Sequence, residues 1–213
     1  MKKYLVIGNP IEHSLSPKLH NFWLKKYNIN ATYDKKLIEE KDIKNLILEL
    51  RSQSIHGINV TVPFKKTVIP YLDDLSDESK LTGSVNTIYM NDNKVIGNNT
   101  DSHGFKISLE QFLNTNLEKK TAFILGAGGV VPSILIALSR LKISNIVLSN
   151  RTKEKAEELK KLFLSYFDNV ETIDWGKVPS YFDIIINATS LGLKKKEEIK
   201  LDYNEIKDDK FFY

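Results

Sequence analysis

The sequence contains no cysteine and only four histidines among its 213 residues. The lack of cysteine excludes a disulfide framework, a thiol nucleophile and a thiolate metal site, and it fits a reducing compartment. The histidines, at positions 13, 20, 56 and 103, lack the spacing that recurs in metal sites. We therefore expect neither a bound metal nor a hydrolase built on a Ser-His-Asp triad.

Long apolar runs are also missing. No stretch approaches the roughly 18–20 residues that span a membrane. The apolar run after the N-terminal lysine pair is interrupted early by Gly8, Asn9 and Pro10, so it predicts a first strand and a turn instead of a signal peptide. These observations predict a soluble, cytoplasmic protein with no membrane partner.

The sequence has no segment in which charges of one sign are concentrated. Lysine and arginine outnumber aspartate and glutamate by 31 to 27, but the lysines are scattered along the chain. A basic stripe with interleaved aromatic residues is absent, so we expect no nucleic-acid partner. With 41% hydrophobic residues, the chain has the composition of a globular protein, and it is long enough for two modest domains.

What the sequence does contain is a regular alternation of strand-like and helix-like runs. In the first half we predict strands over 4–7, 31–38 and 58–62, helices from Pro17 and over 42–50 and 76–81, and a hairpin that joins 85–90 to 94–96. The helical spacing of Trp23 with its apolar neighbours predicts that Trp23 belongs to the core instead of forming a ligand platform.

In the second half the predicted strands cover 121–125, 145–149, 170–173 and 182–187, and the predicted helices cover 130–141 and 153–167. Strands that alternate with crossover helices imply a parallel sheet with helices on both faces. The predicted fold class is therefore α/β, with a junction between two domains in the polar stretch 97–103.

Polar side chains occupy strand ends of the first half, where α/β proteins bind ligands. In the stretch NVTVPFKK, residues 59–66, we expect Val60 and Val62 to face the core and Asn59 and Thr61 to face the other way, with Lys65 after the turn. Two serines precede Pro17, and a helix N-cap is a sufficient explanation for the second of them. This mixture of hydroxyl, amide and ammonium groups suits a small molecule that carries hydroxyls and a carboxylate.

The segment TAFILGAGGVVPSILIAL predicts a strand, a glycine turn and a helix. Glycines at such a turn let the backbone approach a pyrophosphate at the helix N-terminus. The spacing of Gly126, Gly128 and Gly129 departs from GxGxxG, because Val131 stands where the third glycine would fall. A tight turn without a ligand is therefore the alternative.

The next strand ends in Asn150, Arg151 and Thr152, without the carboxylate that favours NAD. The guanidinium of Arg151 suits the 2′-phosphate of NADP. Asn150 or Thr152 is also expected to cap the following helix, and the two roles are compatible.

Seven motifs occur in the order and approximate spacing of one family across essentially the whole chain. They are GNPIEHSLSP, NVTVPFK, GSVNT, NNTD, GAGG, SNRT and INATSLG. The chain resembles the shikimate dehydrogenases. The resemblance implies an N-terminal α/β substrate domain over 1–101, a C-terminal Rossmann-like NADP-binding domain over 102–213, and an active site in the cleft between them. It also implies reversible, NADPH-dependent reduction of 3-dehydroshikimate to shikimate, on the route to chorismate and the aromatic amino acids.

The resemblance also implies roles for individual residues. The substrate-binding residues would be Ser14 and Ser16 at the carboxylate, Asn59 and Thr61 beneath it, and Lys65, Asn86 and Asp101 at the ring hydroxyls. The cofactor-binding residues would be Asp77, Gly126, Ala127, Gly128, Gly129, Val130, Asn150, Arg151, Thr152, Ala188, Thr189 and Ser190. Lys65 and Asp101 would be the catalytic pair, because a lysine ammonium can protonate the oxygen that forms during carbonyl reduction and a nearby carboxylate favours the charged lysine.

The family pattern continues beyond DDKFFY with a further strand and helices, one of which carries a glutamine that reaches the substrate. That C-terminal part is missing here, so we expect a truncated cofactor domain. Three interpretations follow: a shikimate dehydrogenase, a quinate/shikimate dehydrogenase with broader substrate use, and a non-catalytic NADP-binding fragment.

Overall fold

The computed structural model describes residues 1–113, 115–192, 199, 201, 206 and 210–213. The chain divides into two compact units, Met1–Thr100 and Asp101–Tyr213. The division falls one residue before the boundary predicted from the sequence. No helix within the described ranges is long and apolar enough to cross a membrane.

The first unit is built on a six-stranded mixed sheet. Its strands and helices are β1 (Lys2–Gly8), α1 (Ser16–Lys26), β2 (Ala31–Leu37), α2 (Ile43–Arg51), β3 (Gly57–Val60), β4 (Asp74–Leu75), α3 (Asp77–Thr82), β5 (Thr87–Asn91) and β6 (Lys94–Asn98). The strand order is β2-β1-β3-β5-β6-β4. β1 is parallel to β2 and β3, whereas β5 is antiparallel to β3 and β6.

Helical periodicity explains how α2 covers one face of this sheet. Ile43, Leu46, Ile47 and Leu50 form its buried stripe, and they pack with residues of β3 in one apolar cluster. Full burial of such a side chain stabilises the fold by roughly 1.5–3 kcal/mol. The predicted hairpin between β5 and β6 is confirmed, with its two central residues at φ 47° and 63° as a type I′ turn requires.

Two predictions about apolar side chains in this unit are wrong. Trp23 is 43% exposed and α1 buries none of its residues fully, because the helix turns His20 and Leu24 towards the sheet and leaves Trp23 on its flank. Val62 is 66% exposed. The strand ends at Val60, and a turn closed by the Phe64 N–H and the Thr61 carbonyl replaces the last two predicted strand residues.

The second unit is built on a five-stranded parallel sheet, which confirms the predicted Rossmann-like architecture. Its elements are α4 (Asp101–Leu113), β7 (Thr121–Leu125), α5 (Val131–Arg140), β8 (Asn145–Ser149), α6 (Lys153–Phe163), β9 (Asn169–Ile173), β10 (Ile184–Asn187) and β11 (Phe211–Phe212). The order β11-β10-β7-β8-β9 places the fully buried β7 at the centre. The sequence prediction missed α4, although Phe105, Leu109 and Leu113 recur at helical spacing and pack on the core.

Candidate active site

The ends of β1 and β3 meet in the first unit and carry the predicted substrate residues. The Thr61 N–H donates to the Ile7 carbonyl at 2.9 Å, and the Asn9 N–H donates to the Val62 carbonyl at 3.0 Å. A Cβ at Gly8 would lie 2.6 Å from Cγ2 of Thr61. The two loops therefore cross as closely as they do only because residue 8 is glycine.

Main-chain hydrogen bonds also fix the segment that carries Lys65. The Val85 N–H donates to the Lys65 carbonyl at 2.8 Å, and the Val60 N–H donates to the Asn86 carbonyl at 2.8 Å. The chain at Lys65 therefore lies beside the loop that carries Asn86. Lys65 is half-buried, whereas its neighbour Lys66 is exposed.

The Asn59 side chain leaves the opposite face of β3 from Val60 and uses every donor it has. Its Nδ2 donates to the Asn86 carbonyl at 3.2 Å and to Oγ1 of Thr87 at 3.1 Å. Its Oδ1 accepts from the Tyr33 hydroxyl at 2.6 Å. The amide therefore has one defined orientation, since swapping its oxygen and nitrogen would break these bonds.

The Asn86 side chain continues this network. Its Oδ1 accepts from the Thr87 hydroxyl at 2.9 Å and from the Thr100 N–H at 3.1 Å. Its Nδ2 donates to Oγ1 of Thr100 at 3.0 Å. Asp101, the first residue of α4, follows Thr100 directly in the chain.

Neither Ser14 nor Ser16 caps α1. Leu15 occupies the N-cap position without a side-chain hydrogen bond, and Ser16 is already the first helical residue, so the predicted capping role of Ser16 is wrong. The Ser16 N–H lies 3.4 Å from the acceptor Oγ of Ser14. The Ser16 side chain instead lies near the phenol of Tyr33 and lowers the pKa of that phenol.

Asp77 lies apart from these groups, in the first turn of α3. The cap of that helix is Ser76, whose Oγ accepts from the Ser79 N–H at 3.2 Å. Asp77 is exposed, and a carboxylate in the first turn favours the helix through its dipole. The helix start is a sufficient structural reason for an acidic residue here.

In the second unit the glycine turn joins β7 to α5. Gly126 has φ +111°, and a Cβ there would lie 2.8 Å from the carbonyl oxygen of Ala188. The Ala188 N–H in turn donates to the Leu125 carbonyl at 2.8 Å. Gly126 is therefore required by the close approach of the chain that leaves β10, whereas a Cβ at Gly128 or Gly129 would meet nothing within 4 Å.

Asn150 ties the glycine turn to the end of β8. Its Oδ1 accepts from the Ala127 N–H at 3.1 Å, and its Nδ2 donates to the Thr152 carbonyl at 2.7 Å. Thr152 occupies the N-cap position of α6 without a side-chain bond. Thr152 is thus the N-cap residue, as predicted, but neither side chain makes a capping hydrogen bond. Arg151 between them is exposed.

The chain after β10 completes this edge of the sheet. Oδ1 of Asn187 accepts from the Thr189 N–H at 3.0 Å and from the Thr189 hydroxyl at 2.7 Å, while Ser190 is exposed. Gly128, Gly129 and Val130 are exposed and stand directly before the N-terminus of α5. Main-chain N–H groups at a helix start, glycines that leave space, and an exposed arginine after the next strand fit a dinucleotide with a 2′-phosphate.

A polar depression of about 290 Å³ in the second unit lies elsewhere. It is lined by residues just before β8 and β9, among them Lys142, Ser144 and Asp168. These residues stand at the amino ends of the strands, opposite the glycine turn. The depression is therefore not part of the candidate cofactor site.

Known proteins match both units. The profile of the shikimate dehydrogenase substrate binding domain matches residues 6–88, and that of shikimate / quinate 5-dehydrogenase matches residues 108–201. The NADP(+)-dependent shikimate dehydrogenase of Pelagibacter ubique is 58% identical over 212 residues, which cover 100% of this chain and 78% of that protein. The chain belongs to the shikimate dehydrogenase family.

Solved shikimate dehydrogenases share the fold. The enzyme of Aquifex aeolicus superposes with a TM-score of 0.88 at 35% identity over 100% of this chain and 77% of its own. The enzyme of Thermus thermophilus, solved in complex with NADP(H) and shikimate, superposes with a TM-score of 0.85 at 26% identity over the same shares.

Sequence analysis assigned no role to three residues of the polar network. They are Tyr33, Thr87 and Thr100. Thr87 and Thr100 lie inside the quoted motifs GSVNT and NNTD, so their position was a usable signal. Tyr33 lies in β2, outside every motif, and only its contacts in the folded chain reveal it.

Proposed function

We propose that this chain catalyses the reversible, NADPH-dependent reduction of 3-dehydroshikimate to shikimate, a step in aromatic amino acid biosynthesis. The observation that carries the proposal is the 58% identity to an NADP(+)-dependent shikimate dehydrogenase over the whole chain. It is supported by the polar network at the strand ends of the first unit and the glycine turn of the second.

The first unit and Asp101, the residue that directly follows it, are proposed to bind the substrate. Ser14 and Ser16 would hold the carboxylate through hydroxyl donors, with Asn59 and Thr61 beneath it. Lys65, Asn86 and Asp101 would bind the ring hydroxyls. The amides of Asn59 and Asn86 are already oriented by hydrogen bonds, so they lose little conformational freedom when the substrate arrives.

Lys65 is proposed to move the proton. When NADPH is bound it supplies the hydride that adds to the carbonyl carbon. As the oxygen gains electron density, the ammonium of Lys65 donates a proton to it, which yields the hydroxyl and leaves a neutral amine. In the reverse direction the amine removes that proton, so Lys65 acts as general acid and general base. Asp101 is the proposed second member of the pair.

The second unit is proposed to bind NADP. Residues 126–130 would hold the pyrophosphate with main-chain N–H groups, and Asn150, Arg151 and Thr152 would hold the adenosine end with its 2′-phosphate. Residues 188–190 would border the nicotinamide, and Asp77 is proposed as a further cofactor-binding residue. The hydrogen bond from Ala127 to Asn150 supports a shared role for the first two segments.

The proposal is tested by mixing the purified chain with NADP⁺ and either shikimate or quinate and measuring the formation of NADPH. Turnover of shikimate with little turnover of quinate supports it. Comparable turnover of quinate would instead favour the broader relative, a candidate raised by the second matching profile, which is described as shikimate / quinate 5-dehydrogenase. NADP⁺ binding without turnover of either acid would contradict a catalytic role.

A further inference from the structure

Tyr33 lies on β2 of the first unit and is held in place by α1. It is 4% exposed. The Asn21 side chain bonds both to its carbonyl, at 2.7 Å, and to its N–H, at 3.1 Å. The His20 ring stacks on the Tyr33 ring with 4.1 Å between centroids and 4° between planes. The phenol therefore has one fixed position.

The hydroxyl of Tyr33 reaches two of the proposed substrate residues. It donates to Oδ1 of Asn59 at 2.6 Å, and the Ser16 side chain lies close enough to the same phenol to lower its pKa. Burial raises the pKa of Tyr33 to about 12, and the nearby Ser16 side chain offsets only part of that rise. The hydroxyl accordingly keeps its proton at neutral pH and acts as a donor to Asn59.

This donor decides what Asn59 can offer to a substrate. Both hydrogens of its Nδ2 are used, on the Asn86 carbonyl and on Thr87. Its Oδ1 has a second lone pair beside the one that accepts from Tyr33. With the tyrosine in place, the amide presents an acceptor, which can take a hydrogen bond from a substrate hydroxyl.

The donor and acceptor roles fixed at Asn59 also fix those at the second amide, Asn86. Thr87 accepts from Asn59, so its own hydroxyl proton goes to Oδ1 of Asn86. That oxygen also accepts from the Thr100 N–H. The orientation of Asn86 thus agrees with the one that Tyr33 imposes on Asn59, and the bonds run in one sense from the phenol to Asn86.

We propose that Tyr33 is a positioning residue for the substrate site: its hydroxyl sets the orientation of the Asn59 amide and, through Thr87, that of Asn86. The inference rests on the proposed function, because it assigns Tyr33 a role in binding shikimate. Tyr33 itself stays behind Asn59 and acts through it.

The test is the variant Tyr33→Phe, which removes the hydroxyl and keeps the ring that stacks on His20. We expect the KM for shikimate to rise about 3- to 10-fold, the worth of one net hydrogen bond. We expect kcat to change less, and the KM for NADP⁺ and the melting temperature to stay close to wild type.

Tyr4→Phe is the matched control. Tyr4 pairs with Tyr33 in the register of β1 and β2 and packs in the same apolar cluster, but its hydroxyl takes no part in the network described above. We expect this variant to keep the wild-type KM for shikimate. Equal increases in the two variants would show that Tyr33 supports the fold only, and would overturn the inference.

A second measurement isolates the route through Asn59. In an Asn59→Ala background, Tyr33→Phe should add less than a twofold further rise in KM, because the amide that it orients is gone. Fully multiplicative effects on KM would overturn the inference, as would an unchanged KM in the single variant.

Failure of the inference and failure of the proposed function give different results. If the wild-type chain neither turns over shikimate nor binds it in a calorimeter, the proposed function fails and this inference fails with it. If wild type turns over shikimate and Tyr33→Phe has no effect, the inference alone is rejected.

Discussion

The first unit gathers side chains that hydrogen bond to one another at its strand ends, whereas the second offers mainly backbone at the same edge of its sheet. In the first, Asn59, Thr87 and Asn86 form a directed chain of bonds. In the second, Gly126 brings two strand ends together, and exposed glycines precede a helix. The proposed substrate residues lie where β1 and β3 end and β5 begins, whereas the proposed cofactor residues lie where the parallel strands β7, β8 and β10 end. The two sets would recognise different chemistry.

The difference follows from what each ligand requires. A ring with several hydroxyls needs donors and acceptors in fixed places, and oriented amides and an ammonium supply them. A pyrophosphate spreads its charge over several oxygens, and a set of main-chain N–H groups at a helix start binds it without any particular side chain. We therefore expect substitutions in the first unit to act on chemistry and substrate, and those in the second to act on cofactor and stability.

The largest expected effect is that of Lys65→Ala. Without the proton donor, kcat should fall at least ~10²-fold, with a smaller effect on KM. The control is Lys66→Ala, which removes an exposed lysine next to it and should leave kcat near wild type. A kcat for Lys65→Ala within a few-fold of wild type would reduce Lys65 to a residue that only holds the substrate.

Arg151→Ala tests the one charged side chain that the second unit is proposed to use for binding NADP, at its 2′-phosphate. The ratio of kcat/KM for NADP⁺ to that for NAD⁺ should fall about 10- to 100-fold, because a charge-assisted bond to the 2′-phosphate is lost. Lys161→Ala removes an exposed lysine from the last turn of α6 and should leave the ratio unchanged. An unchanged ratio in Arg151→Ala would mean that cofactor choice lies elsewhere.

Two glycine variants separate fold from cofactor in the second unit. Gly126→Ala should lower the free energy of unfolding by about 1–3 kcal/mol, because the residue has φ +111° and its Cβ would lie 2.8 Å from the Ala188 oxygen. Gly128→Ala meets open space, so it should keep the stability and raise the KM for NADP⁺. Thermal melts and cofactor titrations measure both, and equal losses of stability would refute the distinction.

The smallest expected effect concerns the side-chain cluster around Asp183, which contains none of the proposed site residues. Burial by itself raises the pKa of Asp183, but the Thr121 N–H at 2.8 Å, the Tyr181 hydroxyl and the Lys120 ammonium outweigh it and lower that pKa. Its stabilising contribution is therefore complete above the ordinary aspartate value near ~4 and is lost as the pH falls towards the lowered folded value.

Asp183→Asn should remove this acid dependence. We expect the free energy of unfolding to fall by about 1–2 kcal/mol at neutral pH. The difference in stability between variant and wild type should shrink in melts recorded between about pH 4 and pH 2. The control Asp168→Asn changes an exposed residue of the same unit, and its stability should depend on pH as that of wild type does. If Asp183→Asn were less stable than wild type by the same amount at every pH, the charge of Asp183 would not be what stabilises β7 and β10.

The sequence predicted most of the second unit because its signals are local. A buried strand, a glycine turn and a helix follow one another in the chain, and each has its own residue pattern, so the bounds of β7 and β8 were predicted correctly and that of α5 within one residue. The site residues of the first unit come from motifs in the same way, and their roles remain predictions.

The polar network of the first unit was not predictable in the same manner. Tyr33 meets Asn59 across 26 positions of the chain, and nothing near either residue indicates the other. The prediction that Trp23 belongs to the core was wrong for a related reason. Its spacing indicates an apolar stripe, but the contacts of His20 and Leu24 decide which side of α1 faces the sheet. Long-range contacts and helix rotation are set by packing, which periodicity does not encode.

The crossing of the two loops at Gly8 has a consequence for how such enzymes diversify. Residues 61, 65 and 86 are placed by main-chain bonds to Ile7, Val85 and Val60, so the frame does not depend on which side chains it carries. Exchanging a recognition group alters what the unit binds while leaving its backbone in register. Substitutions of these side chains are therefore expected to change binding or turnover far more than the stability of the unit.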